Sequence, residues 1–371
     1  MIRLIFAVPL MLHGLIHLMG FSKEWNLGPP SMLKHKTTIP LTTLAAKTAG
    51  LLWLFACCLL MSTAALYLAQ KDWYWMVGIG GVGLSQGLII VYWHDAKYAT
   101  ILNLIILVIL IVAGAQSNFD KAVEDEVSTM LHTSALVSPA VASSRRAELP
   151  AVVQKWLTAS GAFDRPVRAI RISQSGAMRT TPGGKWMDFQ ATQFCTIDPP
   201  AFNWKAKISA APMIFIAGRD KYANGKGQML IKPMAVYTLA NATGNEIDQG
   251  TMLRFLSEMI WYPEAATMDY IRWEEVAPDQ ALATMTYKGV TATGTFTFHP
   301  NGLVQRFSAE RYGDFQGEFR KETWQVDVTG YQKMSNREIP YACEVTWKLK
   351  SGDFMWLKQE ITQIEYIATS K

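Results

Sequence analysis

Charge is scarce in this chain. Only 18% of its 371 residues are Asp, Glu, Lys or Arg, while half are hydrophobic. Ordinary soluble domains carry about 25% charged residues, so a wholly water-exposed fold is excluded. Cysteine is scarce as well, with four residues and no CxxC pair. Neither a zinc ribbon nor a thioredoxin-type motif is therefore supported. Of the six histidines only His132 and His299 follow residue 118, which leaves a Ser-His-acid triad poorly supplied there. GxSxG, HExxH, Walker, dinucleotide-binding and EF-hand patterns are missing. The carboxylate pairs Glu246/Asp248 and Glu274/Glu275 fit a helix cap and a solvated strand. No cofactor is implied by any motif, and the expectation is a non-enzyme.

The positive excess is also confined. Residues 1–118 hold seven Lys/Arg against three Asp/Glu, and the remainder is nearly balanced at 28 against 27. A nucleic-acid partner would need a basic surface that the second part does not have.

What the chain has in abundance is apolar runs, nearly all before residue 116. A spanning helix needs ~20 mostly apolar residues. Four stretches meet this: Ile2 to Gly20, Thr48 to Ala69, Tyr74 to Trp93 and Ile101 to Gln116. Trp25, Trp73, Tyr74, Trp75, Tyr92, Trp93 and Tyr98 gather at their boundaries, where amphipathic rings favour the headgroup level. The first run ends in LMGFSKEW without a small-x-small cleavage site, so it reads as a retained anchor. Lysines 23, 34, 36 and 47 place the first loop in the cytoplasm, and Lys97 places the third there. The expectation is a multi-pass inner-membrane protein with both termini and the C-terminal domain periplasmic.

Inside the first run stands HGLIHLMGF, with His13 and His17 on one helix face. His94, Asp95 and Lys97 of the third loop, with Ser85, Gln86 and Asn103, are expected toward the same end of a four-helix bundle. Polar groups at that depth either bond across helices or serve function. Three readings stay open for the cluster: interhelical contact, proton or quinone chemistry, and haem or metal ligation. Two histidines on one helix face cannot ligate opposite sides of one haem, so haem would require His94 or another partner.

Residues 117–146 read as an amphipathic helix (Phe119, Val123, Val127 and Leu131 at spacing four), expected at the membrane surface, followed by a small-residue linker. From 147 to 371 the pattern changes. LPAVVQKWLTASG is a short helix bounded by Pro150 and Gly161. Beyond Val167 the period is two. Phe202, Trp204, Ala206 and Ile208 alternate with polar residues, as do Phe296 and Phe298, and Cys343, Val345 and Trp347. Strict alternation predicts an antiparallel sheet with one apolar face, of roughly ten strands. Turns are predicted at 198–200, 223–227, 299–302 and 350–353. One helix interrupts the strands near 248–261, with Asp248 as its cap and Pro263 as its stop. It is expected to cover the concave side of a curved sheet, or half-barrel, leaving part of an apolar pocket open. Phe202, Trp204, Met252, Leu256, Met259, Trp261 and Trp347 would line or gate that pocket. Arg254 and Glu258, at i and i+4, are either a solvated pair or a polar latch at its mouth. Cys195 and Cys343 face the apolar side, paired or free.

The blocks HGLIHLMGF, LSQGLIIVYWHDAKYATILNL, LPAVVQKWL, IDPPAFNW, DQGTMLRFLSEMIWYP and ETWQVDVTGY resemble a bacterial membrane-protein family known only as a domain of unknown function. The likeness brings no activity. The second half alone resembles the half-barrels of lipoprotein-localisation carriers, through Pro199, Pro200, Phe202 and Trp204 at a strand start and the strand-helix-strand order. That resemblance implies acyl-chain binding. The leading expectation is a membrane-anchored periplasmic module binding a lipid or acylated chain. A redox or proton-handling protein, and an envelope assembly or sensor protein that binds a partner chain through its sheet, are the alternatives.

Overall fold

The computed structural model describes residues 2–27, 37–137, 145–315 and 317–368. Its contacts divide the chain into two compact units, Met1–Asp120 and Lys121–Lys371.

The first unit holds helices α1 (Ile2–Glu24), α2 (Thr43–Leu68), α3 (Tyr74–Val91), the one-turn α4 (Trp93–Ala96), and the start of α5 (Ala99–Thr133). Four of these are long and apolar enough to cross a membrane. A seam of Leu10, Leu60, Ala64, Val82, Ile106 and Leu110 is buried between them, while Leu4, Ile5, Leu104 and Ile105 are exposed. Helices apolar on all sides are suited to lipid surroundings. Gly20 permits one close approach. A Cβ there would lie 2.6 Å from the Trp53 ring, the small-residue packing that membrane helices use.

The amphipathic stretch expected after Gln116 is helical, but it continues α5 instead of starting a new helix. α5 runs unbroken for 35 residues, about 52 Å at 1.5 Å per residue. Neither Gly nor Pro interrupts it after Gly114, and Val123, Val127 and Met130 continue a buried stripe in helical phase. Its final turns, from Lys121, belong to the second unit and lie against that unit's sheet: Glu126 accepts from Asn203 Nδ2 and Lys221 Nζ, both at 2.8 Å. Of the linker, residues 138–144 lie outside the described residues, as do Lys34 and Lys36 of the first loop. Val137 already pairs with Val167 in an isolated bridge.

The second unit is a sheet of thirteen strands, more than the roughly ten expected: β1 (Ala169–Met178), β2 (Met187–Thr196), β3 (Ala201–Ala211), β4 (Ile214–Ala223), β5 (Lys226–Pro233), β6 (Ala240–Ala242), β7 (Ile271–Ala277), β8 (Gln280–Tyr287), β9 (Val290–Phe298), β10 (Val304–Phe315), β11 (Glu318–Met334), β12 (Arg337–Leu349) and β13 (Gly352–Ile367). The extra strands include the three-residue β6 and short hairpins such as β7–β8, whose alternation is too brief to read. All four predicted turns fall between strands. At one of them Asn224 and Gly225 take φ of 53° and 76°, the left-handed pair that a two-residue hairpin loop requires.

Strand order explains the curvature. The sheet runs β6-β5-β4-β3-β2-β1-β13-β12-β11-β10-β9-β8-β7, two antiparallel meanders joined where β1 pairs with β13. The chain thus leaves the sheet at one edge, β6, and re-enters at the other, β7. Flat, those edges would be about 58 Å apart at ~4.8 Å per strand. The connecting segment is mostly helix α7 (Asn245–Glu258) and two 3-10 turns (Met259–Trp261 and Pro263–Thr267). It crosses one face and packs against β4 and β5 on one side and β8, β9 and β10 on the other. The sheet therefore curls around α7 as an open half-barrel. Helix α6 (Ala151–Ala159) joins it on the inner side, where Trp156 stacks on Phe296 at 5.8 Å between centroids.

One core results, with Met252, Leu253, Phe255, Leu256, Met259 and Trp261 of the crossing segment facing Ile170, Cys195, Phe202, Phe307, Val345 and others. Burying each large apolar side chain contributes roughly 1.5–3 kcal/mol. Asp248 is not the cap of α7, whose N-cap is Gly244. Buried in the first turn, its carboxylate accepts instead from Gly227 N at 2.7 Å and Lys226 Nζ at 2.8 Å, pinning α7 to β5.

Candidate functional site

Register sets what faces inward. Across β1, β2, β3 and β4, one row is Ile170, Cys195, Phe202 and Tyr222; the next is Ile172, Gln193, Trp204 and Asp220; the next is Gln174, Ala191, Ala206 and Gly218. The first row is fully buried with α7 in the core. Beyond the second row lies a separate apolar cluster of Phe189, Ala191, Ala206 and Ile208. Its flanks are the half-buried Met178, Met187, Trp204, Ile216 and Leu357. Small side chains floor it and larger ones wall it.

The middle row is polar, and it separates the two apolar regions. Arg254, on α7, donates from Nη1 to Asp220 Oδ2 at 2.7 Å, from Nε to Glu258 Oε1 at 2.8 Å and from Nη2 to Gln193 Oε1 at 3.0 Å. Gln193 Nε2 closes the ring to Glu258 Oε2 at 2.6 Å. The guanidinium lies 4.9 Å from the Phe202 ring centre and 5.0 Å from that of Trp204, within cation–π range. Trp204 Nε1 in turn donates to Gln174 Oε1 at 2.8 Å. The pair is thus no solvated i, i+4 contact: the Arg254 and Glu258 side chains are 16% and 9% exposed. Burial lowers the tendency of Arg254 to stay charged, but Glu258 and Asp220 outweigh it and hold its pKa above the ordinary value. Burial pushes the Glu258 carboxyl up, with Arg254 opposing.

A second cation, Arg311 on β10, lies 4.6 Å over the Trp324 ring. Burial, partly offset by Asp220, brings its pKa down to about 10. Its Nε has no hydrogen-bond partner, and the same holds for Gln174 Nε2 and Trp324 Nε1. Inward-facing donors are thus left over, the Tyr222 hydroxyl among them. Cys195 and Cys343 are free thiols, pushed up by burial, Cys343 to about 12. β1 and β13 stand between their strands. Three strand spacings, about 14 Å, far exceed the ~7 Å that a disulfide tolerates between Cα atoms. With no histidine on this face among the described residues and no low-pKa thiol, the arrangement offers fixed charge, donors and apolar surface.

Of the residues expected to line a pocket, Phe202, Met252, Leu256, Met259 and Trp261 are at most 1% exposed, and Trp347 is 8%. They fasten α7 to the sheet. A ligand would reach them only with α7 displaced, whereas Trp204 stands half-buried at the border of the second apolar cluster. Gln193, Asp220 and Arg311 were not singled out from sequence. The available signal was a polar residue at an inward position of an alternating strand, as Gln193 is between Ala191 and Cys195.

In the first unit the polar residues form one chain of hydrogen bonds. His17 Nδ1 reaches His13 O at 2.8 Å, so that nitrogen carries the proton and Nε2 accepts from Ser85 Oγ at 2.7 Å. Ser85 Oγ then accepts from Asn103 Nδ2 at 3.0 Å, which also donates to Gln86 Oε1 at 3.1 Å. Asn103 Oδ1 accepts from His13 Nε2 at 2.7 Å. The His17 imidazole is thus a neutral ring, and α1, α3 and α5 are clipped together. Asp95 joins a different contact, with Lys23 Nζ at 2.5 Å. His94 and Lys97 are exposed and outside the network. Among the described residues no group of three His, Cys, Asp or Glu is placed to hold a metal ion.

Comparison with known proteins gives a family match and two distant structural likenesses. No curated protein matches the chain. A DUF1329 family protein from Desulfovibrio piger is 10% identical with a TM-score of 0.36, over 63% of this chain and 96% of that one. A LolA superfamily protein from Nitrosomonas europaea is 9% identical with a TM-score of 0.34, over 59% and 93%. The profile described as "Family of unknown function (DUF6544)" matches residues 139–359.

Proposed function

The chain belongs to that family of unknown function, DUF6544, and we propose that it is a membrane-anchored, non-enzymatic module whose half-barrel holds an apolar ligand, a lipid or an acylated chain. The observation that carries this reading is the second apolar cluster on the concave face, with Gln174 in the same row as Ala191 and Ala206. Phe189, Ala191, Ala206 and Ile208 with Met178, Met187, Ile216 and Leu357 offer a surface for a hydrocarbon chain. Gln174 Nε2, Arg311 Nε and Trp324 Nε1 suit the oxygens of an acidic head group. Ligand sites of this type are mostly apolar with a few placed polar groups. Arg254 and Glu258 act as the latch that keeps α7 seated, and Trp204 is the gate residue at the border. Loop lysines favour an inner-membrane placement with the half-barrel on the periplasmic side.

The test is mass spectrometry of lipid that remains with the full chain after exchange into mild detergent. An acyl lipid in stoichiometric amount is expected, lost in Ala206→Trp and diminished in Arg311→Gln. A chain that retains no such lipid and takes up no fluorescent fatty acid would overturn the reading.

A further inference from the structure

The opposite, convex face of the same sheet carries a cavity of about 880 Å³ between the last turns of α5 and strands β13, β1, β2 and β3. Sites that hold small ligands occupy roughly 300–1,000 Å³. Val123, Val127 and Leu131 of the helix and Phe194 and Ile367 of the sheet line it. Asn203, which also lines it, is 2% exposed. Its Nδ2 donates to the Glu126 carboxylate at 2.8 Å, which fixes the amide orientation, and its Oδ1 has no hydrogen-bond partner. An unpaired buried acceptor beside apolar walls is costly unless something donates to it.

The lining carries charge of both signs, Arg168, Arg171 and Lys205 with Glu124 and Glu365, and the two arginines are already partnered. Arg171 pairs with Glu365 at 3.3 Å. Arg168 donates to Ser134 Oγ at 2.9 Å and Leu131 O at 3.0 Å, satisfying the end of α5. Glu124 also lines the cavity.

We propose that this cavity binds a neutral single-chain amphiphile, its chain against Val123, Val127 and Phe194 and a hydroxyl or amide N–H donating to Asn203 Oδ1. The site is independent of the concave face, and its ligand is distinguished by a donor head in place of an acidic one. Occupancy would tie the end of α5 to the sheet.

A photoactivatable monoacylglycerol, offered to the full chain in phosphatidylcholine nanodiscs, tests it. Adducts are expected in the peptide spanning residues 121–133. They should be competed by unlabelled monoacylglycerol or by a fatty amide, which report the hydroxyl and amide forms, and far less by a fatty acid. Asn203→Leu should weaken labelling about fivefold, the loss of one hydrogen bond. Thr192→Trp fills the cavity from the sheet and Val127→Trp fills it from the helix, so one serves if the other does not fold, and either should abolish labelling. Labelling of 121–133 that persists in the filled variant, or absence of label there in the wild type, overturns the proposal. Label on β4 peptides, which carry Ile216 of the concave cluster, reports the concave face separately, so failure of one site does not stand for failure of the other.

Discussion

Arg254 Nη1 and Asp220 Oδ2 meet at 2.7 Å across the interior of the half-barrel, joining the crossing helix to the fourth strand. The contact has consequences for stability, because Asp220 and Glu258 would each face the core uncompensated without it. Removing one partner of a buried ion pair costs about 3–5 kcal/mol. Arg254→Met should therefore lower the denaturation midpoint of the second unit, read by tryptophan fluorescence in detergent. An unchanged midpoint would mean that the network adds nothing to the seating of α7.

Glu258 gives that network a pH signature. Its folded carboxyl is raised above the ordinary 4.5 by burial, so the folded chain binds its proton more tightly than the unfolded chain. Its stabilising contribution is complete below about 4.5 and is lost as pH rises through the folded value. Glu258→Gln keeps an acceptor for Arg254 Nε but cannot titrate. Melting temperatures of the two proteins should diverge in favour of the variant as pH climbs through the window above 4.5. Parallel curves would refute the assignment.

The thiols make a simpler case. Cys195 and Cys343 are buried, unpaired and raised by burial. Intact mass without reductant should show no disulfide between them. An aqueous maleimide at pH 8 should leave both unmodified until denaturant is added. Rapid labelling of either in the native chain would show that the core opens readily.

In the first unit, a double-mutant cycle on His17→Leu and Ser85→Ala should return about 0.6 kcal/mol, the mean for hydrogen bonds between membrane helices. Unfolding by a denaturing detergent supplies the readout. The purified chain should show no Soret band, since His13 Nε2 and His17 Nε2 are both committed to protein partners. A haem spectrum would require the network to be rebuilt around iron.

How much of this could be read beforehand depends on the range of the interactions. Alternation in AFNWKAKI placed Phe202 and Trp204 on the inner face, because strand period alone decides that. The turn at Asn224–Gly225 was visible for an equally local reason. That the amphipathic stretch after Gln116 continues α5 without a break was not, since the change from apolar to charged composition at SNFDKAVEDE does not say whether a helix stops there. Asp220 and Gln193 escaped notice likewise. Their partner Arg254 lies 34 and 61 positions away, and only the path of the chain from β6 to β7 brings the three together.

That β1 and β13 are the central neighbours bears on how the fold is reached. Until Gly352–Ile367 has been synthesised, each meander ends in an unpaired inner strand, and the contacts that unite them span nearly 200 positions. Such non-local pairing slows assembly, and bare strand edges recruit other chains. A ribosome stalled before residue 352 would release two half-sheets in search of a mate, so this architecture makes translation to the last strand a condition of solubility.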